Sequence, residues 1–323
     1  MLEHTSQTEK PDDSLKDPWL LAAWPGMGGV AVIAAAHLIR ALDMREAHEL
    51  PAEEFFEVRQ VDVRAGLASA GQLPRTVFFE WRNPGSGRDL LVLLSEAQPE
   101  SGTARMCRAI MGYAKERGVT RVATLASLAT QLDPHEAPGL HAVAMSQDVL
   151  DELHRLEVEP LEEGQIAGLN GVLLAGSAGA GIEAQCVMAE IPYFAAGAPN
   201  PKAARAALDV FCAQAGIEVD TTELKEQGEQ VDAQLAALLE KMKEAARQAP
   251  EDEGPEFGIP KPAEDEATPT PGLSFAARER IERLFEEARK DRATAFRLKE
   301  ELDRLGVFEQ YEDRFLDLFR KGE

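Results

Sequence analysis

The stretch WPGMGGVAVIAAAHLIRAL, residues 24–42, decides how this chain is read. Upstream of it, Pro18 to Trp24 is a short apolar run suited to a buried strand. Downstream, Val30 to Leu42 is rich in Ala, Leu and Ile and carries no helix breaker. Gly26, Met27, Gly28 and Gly29 therefore sit at a strand-to-helix turn. A turn of that kind is either a cradle for phosphate or a tight bend joining two packed elements.

Working outward, the same alternation continues from about Lys16 to Ala249. The runs LLAAW, TVFFEW, DLLVLLS, RVATLAS, GLHAVAM, GVLLAGS and AQCVMAEI are strand candidates. Between them lie helical stretches, Val30 to Leu42, Thr103 to Gly118, Gln147 to Leu156 and Pro201 to Gly216. Strands built almost wholly of Val, Leu, Ile and Ala are covered on both faces, which predicts a layered α/β domain with a mostly parallel sheet. Gly118 and Gly216 each stop a helix just before a β-branched residue. A last long helix, capped by Asp220 or Thr221, carries a stripe of Leu224, Val231, Leu235, Leu238, Met242 and Ala245, with Gly228 as its weak position. Residues 1–15 are polar and acidic and predict a disordered N-terminus, so the α/β domain is assigned to 16–249.

Two further zones follow. Pro250 to Gly272 holds six prolines and seven acidic residues against one lysine, and 250–273 reads as a semi-rigid acidic linker. Residues 274–323 read as a helical hairpin. Ile281, Leu284, Ala288, Ala295, Leu298, Leu302 and Leu305 share one stripe, Gly306 stops that helix, and Val307, Phe308, Tyr311, Phe315, Leu318 and Phe319 line the second.

The bulk numbers bound the function. In 323 residues, 34 Lys and Arg face 57 Asp and Glu, a net charge of -23. Such a field repels phosphate backbones and anionic lipids, so neither nucleic acid nor a membrane surface is an expected partner. No apolar run reaches the ~18 residues of a membrane span. The N-terminus has neither the basic and apolar regions of a signal peptide nor a transit peptide's arginines. Cys107, Cys186 and Cys212 are few, far apart and in apolar company, which fits buried thiols in a reducing, cytoplasmic setting.

The glycine turn matches a loose G-x-G-x-x-A pattern through Ala31. A dinucleotide site also needs an acid at the end of the following strand, and Glu53 and Glu54 in AHELPAEEFFEV do not meet that need cleanly. No Gly-Lys-Ser/Thr follows, which excludes a Walker-type loop. The turn is then a structural or interface bend, an anion pocket, or a dinucleotide site, in that order. The six histidines lack metal-ligand spacing, and no metal is expected; His37 in its apolar helix reads as a packed, hydrogen-bonded side chain. Gly168 and Gly171 read as flanking a turn before a strand at Val172 to Ala175, and Glu96 and Gln98 close the DLLVLLS strand at the edge where α/β folds bind ligands.

Taken together, PGMGGVAVIAAAHLI, AEEFFEV, DLLVLLSEAQP, EEGQIAGLNGVLLAGSAGAGIEAQCVMAEIPYF and PNPKAARAALDVF resemble, in order and spacing, the proteasome assembly chaperone 2 (PAC2) family. The resemblance implies a three-layer, phosphorylase/hydrolase-like α/β domain that self-associates, with trimers a common form. Eukaryotic and archaeal members look like chaperones that hold proteasome α subunits, members in bacteria have no assigned substrate, and the resemblance sets Gly26 to Gly29, Gly168 to Gly171, Pro192, Tyr193 and Asn200 to Lys202 among the family's motifs. The chain ends Lys321, Gly322, Glu323 rather than in a hydrophobic-Tyr-x tail, so docking of such a tail is not expected.

The sequence thus predicts a protein acting through protein contacts, an assembly chaperone or adaptor and a homo-oligomer, with no cofactor. Two rivals stand beside it. One is a nucleotide- or nucleoside-like small-molecule enzyme using both glycine turns, with Glu96 or Glu190 as acid or base. The other is an oligomeric scaffold recruiting its client through the hairpin.

Overall fold

A computed structural model describes residues 14–58 and 61–248, together with the helical positions Ile281, Leu284, Phe285, 297–299, Leu302, Tyr311 and Phe315. The chain divides into two compact units, Met1–Phe257 and Gly258–Glu323. The predicted linker lies outside the described residues, as do residues 1–13.

The first unit is a mixed α/β domain. Its strands are β1 (Trp19–Ala23), β2 (Arg45–Glu49), β3 (Val61–Arg64), β4 (Leu67–Ala70), β5 (Thr76–Trp81), β6 (Leu90–Ser95), β7 (Arg121–Thr130), β8 (Leu140–Ala144), β9 (Glu159–Pro160) and β10 (Glu183–Pro192). Its helices are α1 (Val30–Ala41), α2 (Thr103–Glu116), α3 (Gln147–His154), α4 (Gly168–Ala180), α5 (Pro201–Ala215) and α6 (Thr222–Gln248). Eight strands form one sheet in the order β2-β5-β6-β1-β7-β10-β8-β9. The central run β6-β1-β7-β10 is parallel, while β5 on β6, β2 on β5 and β8 on β10 are antiparallel.

The pleat of β1 explains the layering. Trp19, Leu21 and Ala23 point into a core shared with α1, α3 and α5, and Leu20 and Ala22 into a core shared with α2 and α4. All five residues of β1 are buried, as its unbroken apolar run demanded. Ala31, Ala34 and Ala35 form a small-residue stripe that lets α1 lie close to the sheet and to α5. His37, 4% exposed, sits with Nε2 2.8 Å from the Asp220 carbonyl oxygen and Nδ1 3.7 Å from Glu223, so it ties α1 to the start of α6. All three cysteines are free and buried; burial pushes the Cys186 thiol up to about 11.

One predicted strand is corrected. GVLLAGS is not a strand but the middle of α4, whose buried Leu169, Leu173, Leu174 and Ser177 share one helical face. A short apolar run does not distinguish a buried strand from a buried helix, and a thirteen-residue element packed on α2, β7 and β10 with one buried face is long enough for the helix. Gly228 is likewise no weak point: a Cβ there would lie 3.2 Å from the backbone of Lys202, so glycine lets α6 approach the start of α5. In the second unit, Ile281, Phe285, Leu298, Leu302 and Phe315 are helical and share one small apolar cluster, with the Phe285 and Tyr311 rings 5.9 Å apart. Among the described residues no helix is long and apolar enough to cross a membrane.

Candidate functional site

Parallel strands β6, β1, β7 and β10 end at one edge of the sheet, and the loops leaving that carboxyl edge hold most of the candidate residues. The first is the Gly26–Gly29 turn. Gly28 and Gly29 adopt left-handed backbone, φ +66° and +59°, which only glycine takes at little cost. At Gly28 a Cβ would also meet Ile191 Cδ1 at 3.3 Å and Asn200 Cβ at 3.4 Å.

Six polar groups of this turn are engaged, among them the Gly29 N–H, which donates to the Gly26 carbonyl at 3.0 Å. The Gly28 N–H donates to the Ala196 carbonyl at 2.7 Å, and the Gly28 carbonyl accepts from the Asn200 N–H at 2.7 Å. Ser127 Oγ, on β7, donates to the Met27 carbonyl at 2.7 Å. Gln98 Nε2 donates to the Pro25 carbonyl at 2.8 Å, while Gln98 Oε1 accepts from the Leu169 N–H at the start of α4. Asn200, 3% exposed, completes the clasp by capping α5, its Oδ1 accepting from the Ala203 N–H at 2.9 Å. The turn is therefore fastened to β7 and to the loops after β6 and β10 by their own backbone and side chains.

The second glycine motif meets the first through Gln98. Gly168 has φ +64°, and a Cβ there would fall 2.9 Å from Gln98 Oε1; a Cβ on Gly171 would fall 2.0 Å from the Ile166 carbonyl oxygen. Both glycines thus answer close approaches within the fold. Glu96 and Glu190 are not brought together. They leave β6 and β10, three strand spacings apart, or about 14 Å. Glu96 accepts from the Arg75 N–H at 2.9 Å; Glu190 accepts from the Gly139 N–H and lies 3.5 Å from His141 Nε2. That separation exceeds the ~9.5 Å across which two carboxylates flank one bond through a water.

Topology also removes the dinucleotide reading. In that motif the second strand lies beside the first, whereas here β1 has β6 and β7 as neighbours and β2 is the antiparallel edge strand. Glu53 and Glu54 fall in a single 3-10 turn, 52–54. Among the described residues no group of three or more His, Cys, Asp or Glu is placed to hold a metal.

Sequence reasoning missed Ser127 and gave Asn200 no mechanism. A lone serine inside an apolar strand carries no signal of what faces it, whereas Asn before Pro201 is a legible helix cap. What the clasp leaves exposed is apolar: Met27 is 49% and Tyr193 57% exposed, on the two loops that Gly28 joins.

With this geometry in hand, comparison with known proteins is decisive at the level of family. A model of the PAC2 family matches residues 20–239. The chain belongs to the PAC2 family. It is similar to the uncharacterised protein MJ1210 of Methanocaldococcus jannaschii, 25% identical over 263 residues, which make up 78% of this chain and 96% of that one. Among solved structures it is similar to PbaB of Pyrococcus furiosus, an archaeal proteasome activator, with a TM-score of 0.60 and 25% identity over 71% of this chain and 96% of that chain. The proteasome-assembly chaperone homologue Rv2125 of Mycobacterium tuberculosis shares the fold, with a TM-score of 0.59 and 22% identity over 68% of this chain and 94% of that chain. Within the PAC2 domain, Pro192, Tyr193 and Asn200 to Lys202, set by resemblance among the family motifs, all lie in or beside the loop that clasps Gly28. Lys202 then anchors α6, its Nζ 2.8 Å from Asp232 Oδ2.

Proposed function

We propose that this PAC2 protein works through protein contacts at the carboxyl edge of its sheet, as an assembly chaperone or adaptor whose α/β domain self-associates. The observation that carries the reading is the occupied glycine turn: the Gly28 N–H and carbonyl are both engaged by the loop between β10 and α5. A phosphate cradle presents free N–H groups to its ligand, whereas here the Gly28 N–H is spent on the loop between β10 and α5 and the Gly29 N–H on the Gly26 carbonyl. What those loops then present, Met27 and Tyr193, is suited to burial against a protein surface. The similarity to PbaB and to Rv2125 supports proteasome subunits as the client class.

The test pairs a client with a ligand screen. Purified proteasome α subunits are titrated onto the immobilised full-length chain and onto the Tyr193→Asp variant, and melting is followed with millimolar nucleotides and nucleosides. The expected result is saturable subunit binding that weakens at least tenfold in Tyr193→Asp, and a flat melting temperature. Absent subunit binding together with a nucleotide-dependent rise in melting temperature overturns the proposal, because a ligand that binds only the folded state must stabilise it.

A further inference from the structure

The opposite, amino edge of the sheet holds a cavity that the clasp does not touch. Its volume is about 550 Å³, within the range of small-molecule sites, and it opens where β1, β7 and β10 begin. One wall is built on Trp19. The guanidinium carbons of Arg88, just before β6, and Arg121, at the start of β7, lie 4.1 Å and 4.3 Å from the Trp19 ring, a cation–π arrangement that fixes both groups. Each is also neutralised. Arg121 forks onto the Glu152 carboxylate at 2.6 Å and 3.4 Å, and Arg88 Nη1 lies 3.1 Å from Asp17 Oδ2 while its Nε donates to the Ala215 carbonyl at 3.1 Å. Asp17 is itself held in left-handed backbone, φ +42°, with Oδ1 accepting from Thr120 Oγ1 at 2.8 Å.

Two charges on the cavity wall are left over, one of each sign. Arg155, the residue after α3, and Glu183, the first of β10, are exposed on the cavity, and neither has an ion-pair partner among the described residues. Packing of a sheet edge accounts for the stacked arginines and their carboxylates, but not for this remainder. The Glu183 carboxylate accepts from Ser146 Oγ at 2.8 Å. The charge of Arg155 does reach the cavity: the hydrogen bond from Arg121 leads in holding the Glu152 carboxyl below the usual glutamate range against the cost of burial, and the charges of Arg155 and Arg88 add to it. We propose that this cavity is a binding site for a small zwitterion, a free amino acid or a short peptide, whose carboxylate is taken by Arg155 and whose ammonium is taken by Glu183. Charge selects that class. The wall balances three arginines against three carboxylates, so a bare anion or a bare cation leaves one group unpaired, whereas a zwitterion meets both. At a net charge of -23 the chain also repels polyphosphates and other multiply charged anions, and a zwitterion is indifferent to that field. Leu156 and the arginine stems supply apolar wall for the ligand's carbon skeleton. The site goes beyond the protein contacts proposed at the carboxyl edge, and the two readings fail separately.

Because Arg155 and Glu183 are exposed, both can be changed without disturbing the core. The experiment follows the melting temperature of the full chain against each of the twenty common amino acids and the corresponding glycyl dipeptides at millimolar concentration, then titrates the strongest by calorimetry beside its N-acetyl and amide derivatives and inorganic phosphate. The expected result is saturable binding of at least one zwitterion, weakened at least about tenfold when acetylation removes its ammonium or amidation its carboxylate. Arg155→Ala is expected to lose at least about tenfold in affinity with an unchanged melting curve in the absence of ligand, and Glu183→Gln to lose the preference for the zwitterion over its N-acetyl derivative. A response to amino acids alone names the free amino acid as the source, and a response to dipeptides alone names a peptide; either upholds the site. A flat melting temperature across the whole panel overturns the inference. So does an N-acetyl derivative or phosphate that binds as tightly as the zwitterion, since the site then reads only an anion. Zwitterion binding that is unchanged in either variant overturns the cavity as its seat.

Discussion

The Gly26–Gly29 turn and the β3–β4 hairpin leave the same edge of one sheet, yet they solve the backbone's needs in opposite ways. The turn is fastened from three sides: the β10–α5 loop holds Gly28, Ser127 holds Met27, and Gln98 holds Pro25. The hairpin bonds to itself and leaves Val61, Val63 and Leu67 exposed. One region is specified by the fold around it and the other by its own pairing and turn. A change in the first is therefore expected to register strongly in stability, and a change in the second only weakly.

The strongest break to that contrast is Gly28→Val. Left-handed backbone and the crowding by Ile191 and Asn200 act together, and the expected loss is roughly 3 kcal/mol or more, read by urea denaturation. A stability within 0.5 kcal/mol of the natural chain would show that the clasp yields freely.

Glu80 on β5 offers a second fastened point, away from any glycine. Its side chain is 2% exposed and accepts from Arg45, Arg82 and Arg117. Burial works against its ionisation, but the hydrogen bond from Arg45 and the charge of Arg117 prevail and hold the carboxyl below the usual glutamate range. Because the folded value is depressed, this stabilisation is whole above the ordinary pKa of about 4.3 and is lost as the pH falls through the lower folded value. Glu80→Gln is expected to cost roughly 2 kcal/mol at pH 7, a figure discounted for the solvent that reaches Arg45 and Arg82, and to flatten the acid limb of the stability curve. An unchanged limb would remove Glu80 from the account.

Asn200→Ala tests the clasp at a single side chain. Losing the cap of α5 is expected to lower stability by about 1 kcal/mol, seen as a lower melting temperature. The smallest effect belongs to the hairpin. Ala65→Gly relieves the positive φ of the hairpin turn and is expected to change stability by less than about 0.5 kcal/mol. A large loss there would mean that the hairpin belongs to the core rather than to the surface.

These contrasts were unevenly legible in the sequence. LLAAW, TVFFEW, DLLVLLS, RVATLAS, GLHAVAM and AQCVMAEI were legible as strands because each is short, apolar and flanked by a different, helical stretch or by a turn. GVLLAGS misled because small apolar residues suit a helix between a sheet and α2 as well as they suit a strand. β2, with the sequence REAHE, was missed because a fully exposed edge strand shows no apolar alternation. Of the site, Gly26 to Gly29 and Gln98 were visible from their place after strands β1 and β6, whereas Gly168 and Gly171 open α4 and not a strand. Ser127 was not visible, since what faces it comes from a segment 100 residues away.

The sequence by itself determined the layered α/β class, the helix stops at Gly118 and Gly216, and the family, because periodicity, breakers and motif order are properties of neighbours along the chain. Only the tertiary structure decided that the glycine turn is a clasp, that Glu96 and Glu190 stand apart, and that Val61, Val63 and Leu67 of the hairpin are exposed. Each of those depends on which strands lie side by side, and strand order is set by the packing of two distant cores rather than by any local run of residues.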